Sequence, residues 1–391
     1  MNVIVPKTAA ELNYGLSLPH RKMEDWRWTD LRQLIDRPYP PRQTVVASAK
    51  DVERLLKSSP FAKVAGSRMV FINGHYSAEH SQLKNEQLAS RVKIDEPVIK
   101  MNAAFATDGA RLKISGTADT PIELLFISPN ADARTIGTRN VIEIEKGALA
   151  TLIETHLGEG SYLSNSVTEI SVGEGARLDR IKVELEATES IHLGHAHFTL
   201  SKNTVLNDFT LTSGAKTNRQ NGTVEFKGRG TDAKISGAFM LGGKQHADTR
   251  LVIDHQVPQC TSRELFKCVM DDHARGIFQG KVIVQRDAQK TDGKQSSHAL
   301  LLSETAEFDA KPELEIFADD VVCGHGATAG DLNHDHLFYL MSRGISASDA
   351  KSLLIAAFVG EAFDVIAHEG IKDALVKFSR KWLSEHRSGR A

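Results

Sequence analysis

Between about residue 69 and residue 322 the chain alternates apolar with polar side chains in short runs, the period of a half-buried strand. Typical runs are MVFI at 69–72, RLKI at 111–114, PIELLFI at 121–127, RLDRIKVELE at 177–186, GTVEFKG at 222–228, DTRLVIDH at 248–255 and SHALLLS at 297–303. Gly, Asn or Asp usually marks the joints. Between Thr135 and Cys260 nothing carries helical spacing, which argues against alternating strand–helix packing. A weak repeat runs through the strands. The stretches 141–149 (VIEIEKGAL) and 169–178 (EISVGEGARL) share a strand, turn, strand order, and their Gly-Ala pairs at Gly147 and Gly175 lie 28 residues apart. DGARLKI at 108–114 is an earlier echo. Short strands at such a period predict a β-solenoid, whose coils bury their apolar faces only against neighbouring coils. A sandwich or propeller is the competing all-β reading.

Both ends of the chain change period. Residues 24–35 (EDWRWTDLRQLI) place Trp28, Leu31, Leu34 and Ile35 at helical spacing. Ser48 suits the N-cap of a helix with Val52, Leu55 and Leu56 on one face. The Pro-rich stretch 37–42 between them reads as extended loop. After Asp331 the pattern is helical again. Ser346 or Ser348 can cap a helix over 349–368, with Gly370 as its stop. That helix carries one stripe of Leu354, Phe358, Ala362 and Val365 and an adjacent stripe of Ile355, Val359, Phe363 and Ile366, wider than a surface helix needs. It either packs under its own domain or is shared with a partner. A last helix has Ile371, Leu375, Phe378 and Trp382 on one face, and Lys377, Arg380, Lys381 and Arg387 toward its C-terminus, where the dipole favours cations. The expected organisation is a helical region over 1–65, a β-core over 66–330 and a helical domain over 331–391.

Composition narrows the function. Of 391 residues, 41% are hydrophobic and 25% charged, and the formal net charge is −2, which gives no electrostatic footprint for nucleic acid or an anionic membrane. The first residues lack a signal-peptide pattern, and no run approaches the roughly 18 apolar residues of a membrane span, so a cytoplasmic protein is expected. Cys260, Cys268 and Cys323 form no CxxC pair. Neither a disulfide framework nor a self-contained zinc site follows, and Cys260 and Cys268 read as small buried hydrophobes. Phosphate-binding loops, a GxSxG elbow and HExxH are absent.

Three groups of residues carry candidate chemistry. His192, His195 and His197 (HLGHAH) resemble metal ligands, with His195 and His197 on one strand face. The plainer reading makes them polar positions of a coil, because no carboxylate lies nearby in a strand-compatible position. His334 and His336, around Asp335, read the same way. The third group is 319–331, DDVVCGHGATAGD. There Cys323 and His325 lie two residues apart at a strand end and project to one side, between Gly324 and Gly326. Thiolate and imidazole are ligands for iron–sulfur clusters and soft metals, but two ligands cannot close a tetrahedral site, so others must come from a second chain. A Cys–His nucleophile–base dyad is the enzymatic alternative.

The stretches 311–361, KPELEIFADDVVCGHGATAGDL followed by LFYLMSRGISASDAKSLLIAAFVGE, and 24–31, EDWRWTDL, resemble the SufB/SufD family of iron–sulfur cluster assembly proteins. CGHGAT at Cys323–Thr328 and the chain length favour its SufD branch over SufB, whose matching segment tends to read GHEAT. The resemblance implies a right-handed parallel β-helix flanked by helical domains. It also implies a non-catalytic scaffold role, a complex with SufB and the ATPase SufC, and sulfur delivered by a cysteine desulfurase. It implies a transient cluster shared with SufB, none bound by the isolated chain, and His325, with Cys323, among the cluster-assembly residues. Leu353, Leu354, Phe358, Val359 and Phe363 would then dock SufC. An isolated chain could instead form a homodimeric β-helix binding module through its edge strands.

Overall fold

A computed structural model describes residues 17–35, 37–40, 47–90, 95–131 and 133–388. Residues 41 and 42 of the Pro-rich stretch and the side chain of Arg387 lie outside what it describes. Among the described residues, strands from Ser67 to Gly330 form a parallel β-solenoid of about eight turns with helices flanking it at both ends of the chain. Each coil gives one strand to a ten-stranded sheet and one to a nine-stranded sheet. The repeat is literal in the hydrogen-bond register: Leu149 pairs with Arg177, and Arg177 with Val205. Gly147 and Gly175, two residues before these strands, both have φ of 68°, so the repeated Gly-Ala motif is the coil's corner.

Side chains alternate across each strand, so every strand has a face toward the bore and a face toward whatever covers the sheet. Leu124, Leu152, Leu178, Leu206, Phe226, Ile253, Phe278 and Val282 belong to the buried cluster that fills one side of the bore. The outer face of the ten-stranded sheet is equally apolar. Ile153, Ile181, Val183, Phe209, Leu211 and Met240 lie under Ile355, Val359, Phe363, Leu375 and Trp382 of the C-terminal helices.

The alternation changes sign inside the strand Arg177–Glu186. Leu178 faces the bore, but so do Arg180, Lys182, Glu184 and Glu186, all buried, while Ile181 and Val183 face out beneath the helices. The bore is therefore apolar on one side and densely charged on the other.

The outer face of the nine-stranded sheet is covered by the N-terminal segment and the helix Pro97–Phe105, whose Glu96 cap accepts from the Ile99 amide. The segment 24–35 is not one helix. It forms a 3₁₀ turn at Glu24–Trp26 and a four-residue helix at Leu31–Leu34, capped by Asp30. The break turns Trp26, rather than Trp28, into the core. There the buried Arg219 guanidinium lies 4.5 Å from the Trp26 ring centre, donates to the Asp25 carbonyl and pairs with Asp248. Thr29 also donates to Asp248, at 2.5 Å. Ser48 caps the helix Ala49–Ser58, accepting from the Asp51 amide, and Val52 and Leu55 are buried beneath it.

The C-terminal part differs from its expected outline in two places. A helix His334–Ser342, capped by Asn333, precedes the expected one and buries none of its residues. The helix capped by Ser346 spans Ala347–Gly360 and passes into a 3₁₀ turn at Glu361–Val365. Gly370 lies in the first turn of the helix Glu369–Ser388 and stops nothing. No described helix is long and apolar enough to cross a membrane.

Candidate functional site

The solenoid ends on the strands Glu307–Ile316 and Val322–Gly330, each of which, among the described residues, is paired along one edge only. Cys323 lies opposite Gly293 and His325 opposite Gln295, so both share the bore-facing side of the last strand with the positions behind the buried Gln295 and Ser297. Among the described residues no further coil covers that side. Cys323 is half-buried against the end of the apolar core, and burial pushes its thiol up. His325 is exposed. Gln295, one coil in, donates to Glu264 two coils in, at 2.9 Å. Burial without a cation pushes the Glu264 carboxyl up to about 8. The mouth of the bore is thus an imidazole and a thiol backed by an amide and a carboxyl. Sequence reasoning missed Gln295 and Glu264, whose signal was their place at inward positions of their strands.

Such an arrangement is suited to holding a soft or borderline metal centre in part, with the open edge supplying room for further ligands. It is poorly suited to nucleophilic catalysis. Among the described residues no hydrogen bond joins Cys323 to His325, and a raised thiol is the reverse of an activated one. Cys260 and Cys268 are buried in the bore core, and burial raises both thiols.

The remaining candidates separate. His192 faces the bore, whereas His195 and His197 lie on the outer side of the same strand, so HLGHAH is not one ligand set. Burial holds His195 down to about 3, and among the described residues neither of its ring nitrogens has a hydrogen-bond partner. The expectation that no carboxylate meets these histidines is wrong for His197, which Glu225 approaches to 3.6 Å, and for His192. Glu184 and Glu186 reach it from the preceding strand at 3.4 and 2.6 Å. His334 and His336 are exposed on a helix start. Of the five helical candidates, Leu353 is 50% exposed, Leu354 and Phe358 are half-buried, and Val359 and Phe363 are buried under the chain's own sheet. The Phe363 ring meets Phe209 edge to face at 5.4 Å. The exposed apolar residues nearby are Phe338, Tyr339 and Met341 on the preceding helix.

The chain is a parallel β-solenoid with one uncovered coil, bearing a thiol and an imidazole at its mouth and helices on its flank. Residues 126–358 match the family model described as SUF system FeS cluster assembly, SufBD core domain. An iron–sulfur cluster assembly SufBD family protein of Synechocystis is 31% identical over 92% of this chain and 86% of its own length. The iron–sulfur cluster assembly protein SufD of Escherichia coli is 28% identical over 92% of this chain and 88% of its own length. A SufBD family protein of Mycobacterium leprae is 31% identical over 70% of each chain. The chain belongs to the SufBD family, and its role lies in iron–sulfur cluster assembly.

Proposed function

We propose that this chain is a non-catalytic scaffold subunit. In this reading its open coil pairs with SufB, its C-terminal helices dock the ATPase SufC, and His325, with Cys323, offers ligands to a cluster forming at the SufB–SufD interface. Sulfur arrives from a cysteine desulfurase system. The observation that carries the reading is the terminal coil. It leaves two strand edges unpaired and an exposed imidazole beside a half-buried thiol on the uncovered face. Long free edges invite a strand from another chain. A two-ligand half-site gains its remaining ligands only when that chain arrives. In the absence of SufB the same edges offer themselves to a second copy, which would make the isolated chain a dimer through the same surface.

The test is co-expression with SufB and SufC, anaerobic purification, and a visible spectrum with iron and sulfide counts. The expected result is a ternary complex carrying a cluster, and for His325→Ala the same complex with cluster content reduced by about tenfold or more. Full cluster content in His325→Ala would sink the assignment of that residue. A chain that ignores both partners would sink the scaffold reading itself.

A further inference from the structure

Where the alternation changes sign, the bore holds four carboxylates, on Glu154, Glu184, Glu186 and Asp208, against two cations, Arg180 and Lys182, all buried. Arg180 bridges Glu154 at 2.8 Å and Asp208 at 2.7 Å. Lys182 lies 2.7 Å from Glu184 and 3.8 Å from Glu154. Among the described residues no Lys or Arg pairs with Glu186. It meets the Tyr162 hydroxyl at 3.4 Å and His192 Nδ1 at 2.6 Å. The second contact lacks hydrogen-bond geometry, and Glu186 Oε2 and His192 Nδ1 are both buried atoms without a hydrogen-bond partner. With neutral imidazoles, the cluster carries two negative charges in excess. Isolated charge in such a place is costly unless something neutralises it.

His156 completes the set. Its ring stands edge to face with that of His192, centroids 4.9 Å apart, and one ligand atom each from His156, Glu186 and His192 lie within 4.8 Å of one another. Each imidazole has a carboxylate at Nε2: Glu154 at 2.8 Å from His156 and Glu184 at 3.4 Å from His192, where Lys182 also approaches to 3.4 Å. A carboxylate behind one ring nitrogen fixes the tautomer and turns the other nitrogen toward a metal. His156 and Glu186 also stand in the wall of a cavity that Ser128, Thr138 and Ser164 line with hydroxyls, polar enough for a water as a further ligand.

We infer that His156, Glu186 and His192 form a buried site for a divalent transition-metal cation of the zinc or iron(II) type. Two imidazoles and one carboxylate are the donor set that such ions take, and a double positive charge balances the excess. Because His156 belongs to one coil and Glu186 and His192 to the next, the ion ties two coils together across the bore. The site is separate from Cys323 and His325, in a different part of the bore.

The probe is Zn(II), supplied to the full chain during expression and counted after gel filtration in chelator-treated buffer. About one Zn(II) per chain is expected in the wild type, in Cys323→Ser and in His325→Ala, and a loss of about tenfold or more in Glu186→Gln and His192→Gln. Glu186→Gln keeps nearly the shape of the original side chain, and circular dichroism checks the fold of both variants. X-ray absorption at the zinc edge of the wild type reads the ligands without any variant. Nitrogen and oxygen at about 2.0–2.1 Å with imidazole scattering support the site, and a sulfur shell at about 2.3 Å assigns the metal to a cysteine and overturns it. Equal zinc in wild type and Gln variants overturns it as well. So does a wild-type chain that retains no zinc, which would make Glu186 and His192 an ion pair.

Discussion

Glu264 shows how a single inward position can govern the behaviour of the bore. It has the Gln295 amide for one oxygen and, among the described residues, no hydrogen-bond partner for the other. Burial raises its pKa to about 8, above the ordinary carboxyl value. The folded chain therefore binds a proton that the unfolded chain has already released, throughout the window from about 4.5 to about 8. Stability must fall as pH rises through that window, by at most about 1.4 kcal/mol per unit, and level off above it. Denaturant titrations at about pH 6 and about pH 8 should show this decline, and Glu264→Gln should flatten it and be the more stable protein at the higher pH. A wild-type slope that survives the substitution would place its origin in another group. Inward ionisable groups such as this were hidden in the sequence for a definite reason. Alternation has a period but no sign, and RIKVELE at 180–186 reads the same whether Ile181, Val183 and Leu185 or Lys182, Glu184 and Glu186 face inward. Only the helices covering Ile181 and Val183 decide it. The same inversion brings Glu184 and Glu186 to His192, which residue spacing along one strand cannot reveal.

Elements were legible where one physical requirement dictated them. Strands between Gly and Asn joints, the 28-residue step and the Ser48 and Ser346 caps follow from period, turn chemistry and orphan amides. The helix His334–Ser342 escaped because it buries nothing and so shows no stripe. The segment 24–35 was misjudged because four residues at helical spacing say nothing about where Asp30 starts a new cap. The corner at Gly147 is a direct test of the repeat. A Cβ there meets no atom within 4 Å, so Gly147→Ala adds no clash and costs only the strain of φ at 68°. That is about 1–2 kcal/mol, and Gly147→Asn should cost less, since Asn tolerates this conformation better. Thermal unfolding should order the three proteins as Gly, Asn, Ala. An alanine variant as stable as the wild type would mean that the corner relaxes out of the left-handed region.

At the scale of the molecule the two ends of the solenoid are built differently. The first strand, Ser67–Ile72, has its outer edge covered by His75–Tyr76 in antiparallel pairing and by Ser81 and Gln82, which bond the backbone of Val70 and Arg68. Among the described residues the last coil has no such cover, and Ile316, Phe317 and Val322 are exposed along it. A chain closed at one end and open at the other is suited to pairing end to end with one partner rather than to stacking into a fibre. The helical flank adds a second surface, and burial divides its residues into two kinds. Phe338 is 74% and Leu353 50% exposed, whereas Val359 is fully buried against the sheet. The double change Phe338→Asp and Leu353→Asp should therefore leave the melting temperature of the isolated chain nearly unchanged, since both positions are solvated. If SufC docks on this flank, co-purification with SufC should fail while that with SufB persists, because docking would bury the new charges. Val359→Asp should behave differently. It places an unpaired charge in the chain's own core, costs several kcal/mol of stability and weakens both associations together. SufC binding that survives the double change would move the docking surface off these helices, and loss of SufB in the same variant would mean that the two surfaces are one.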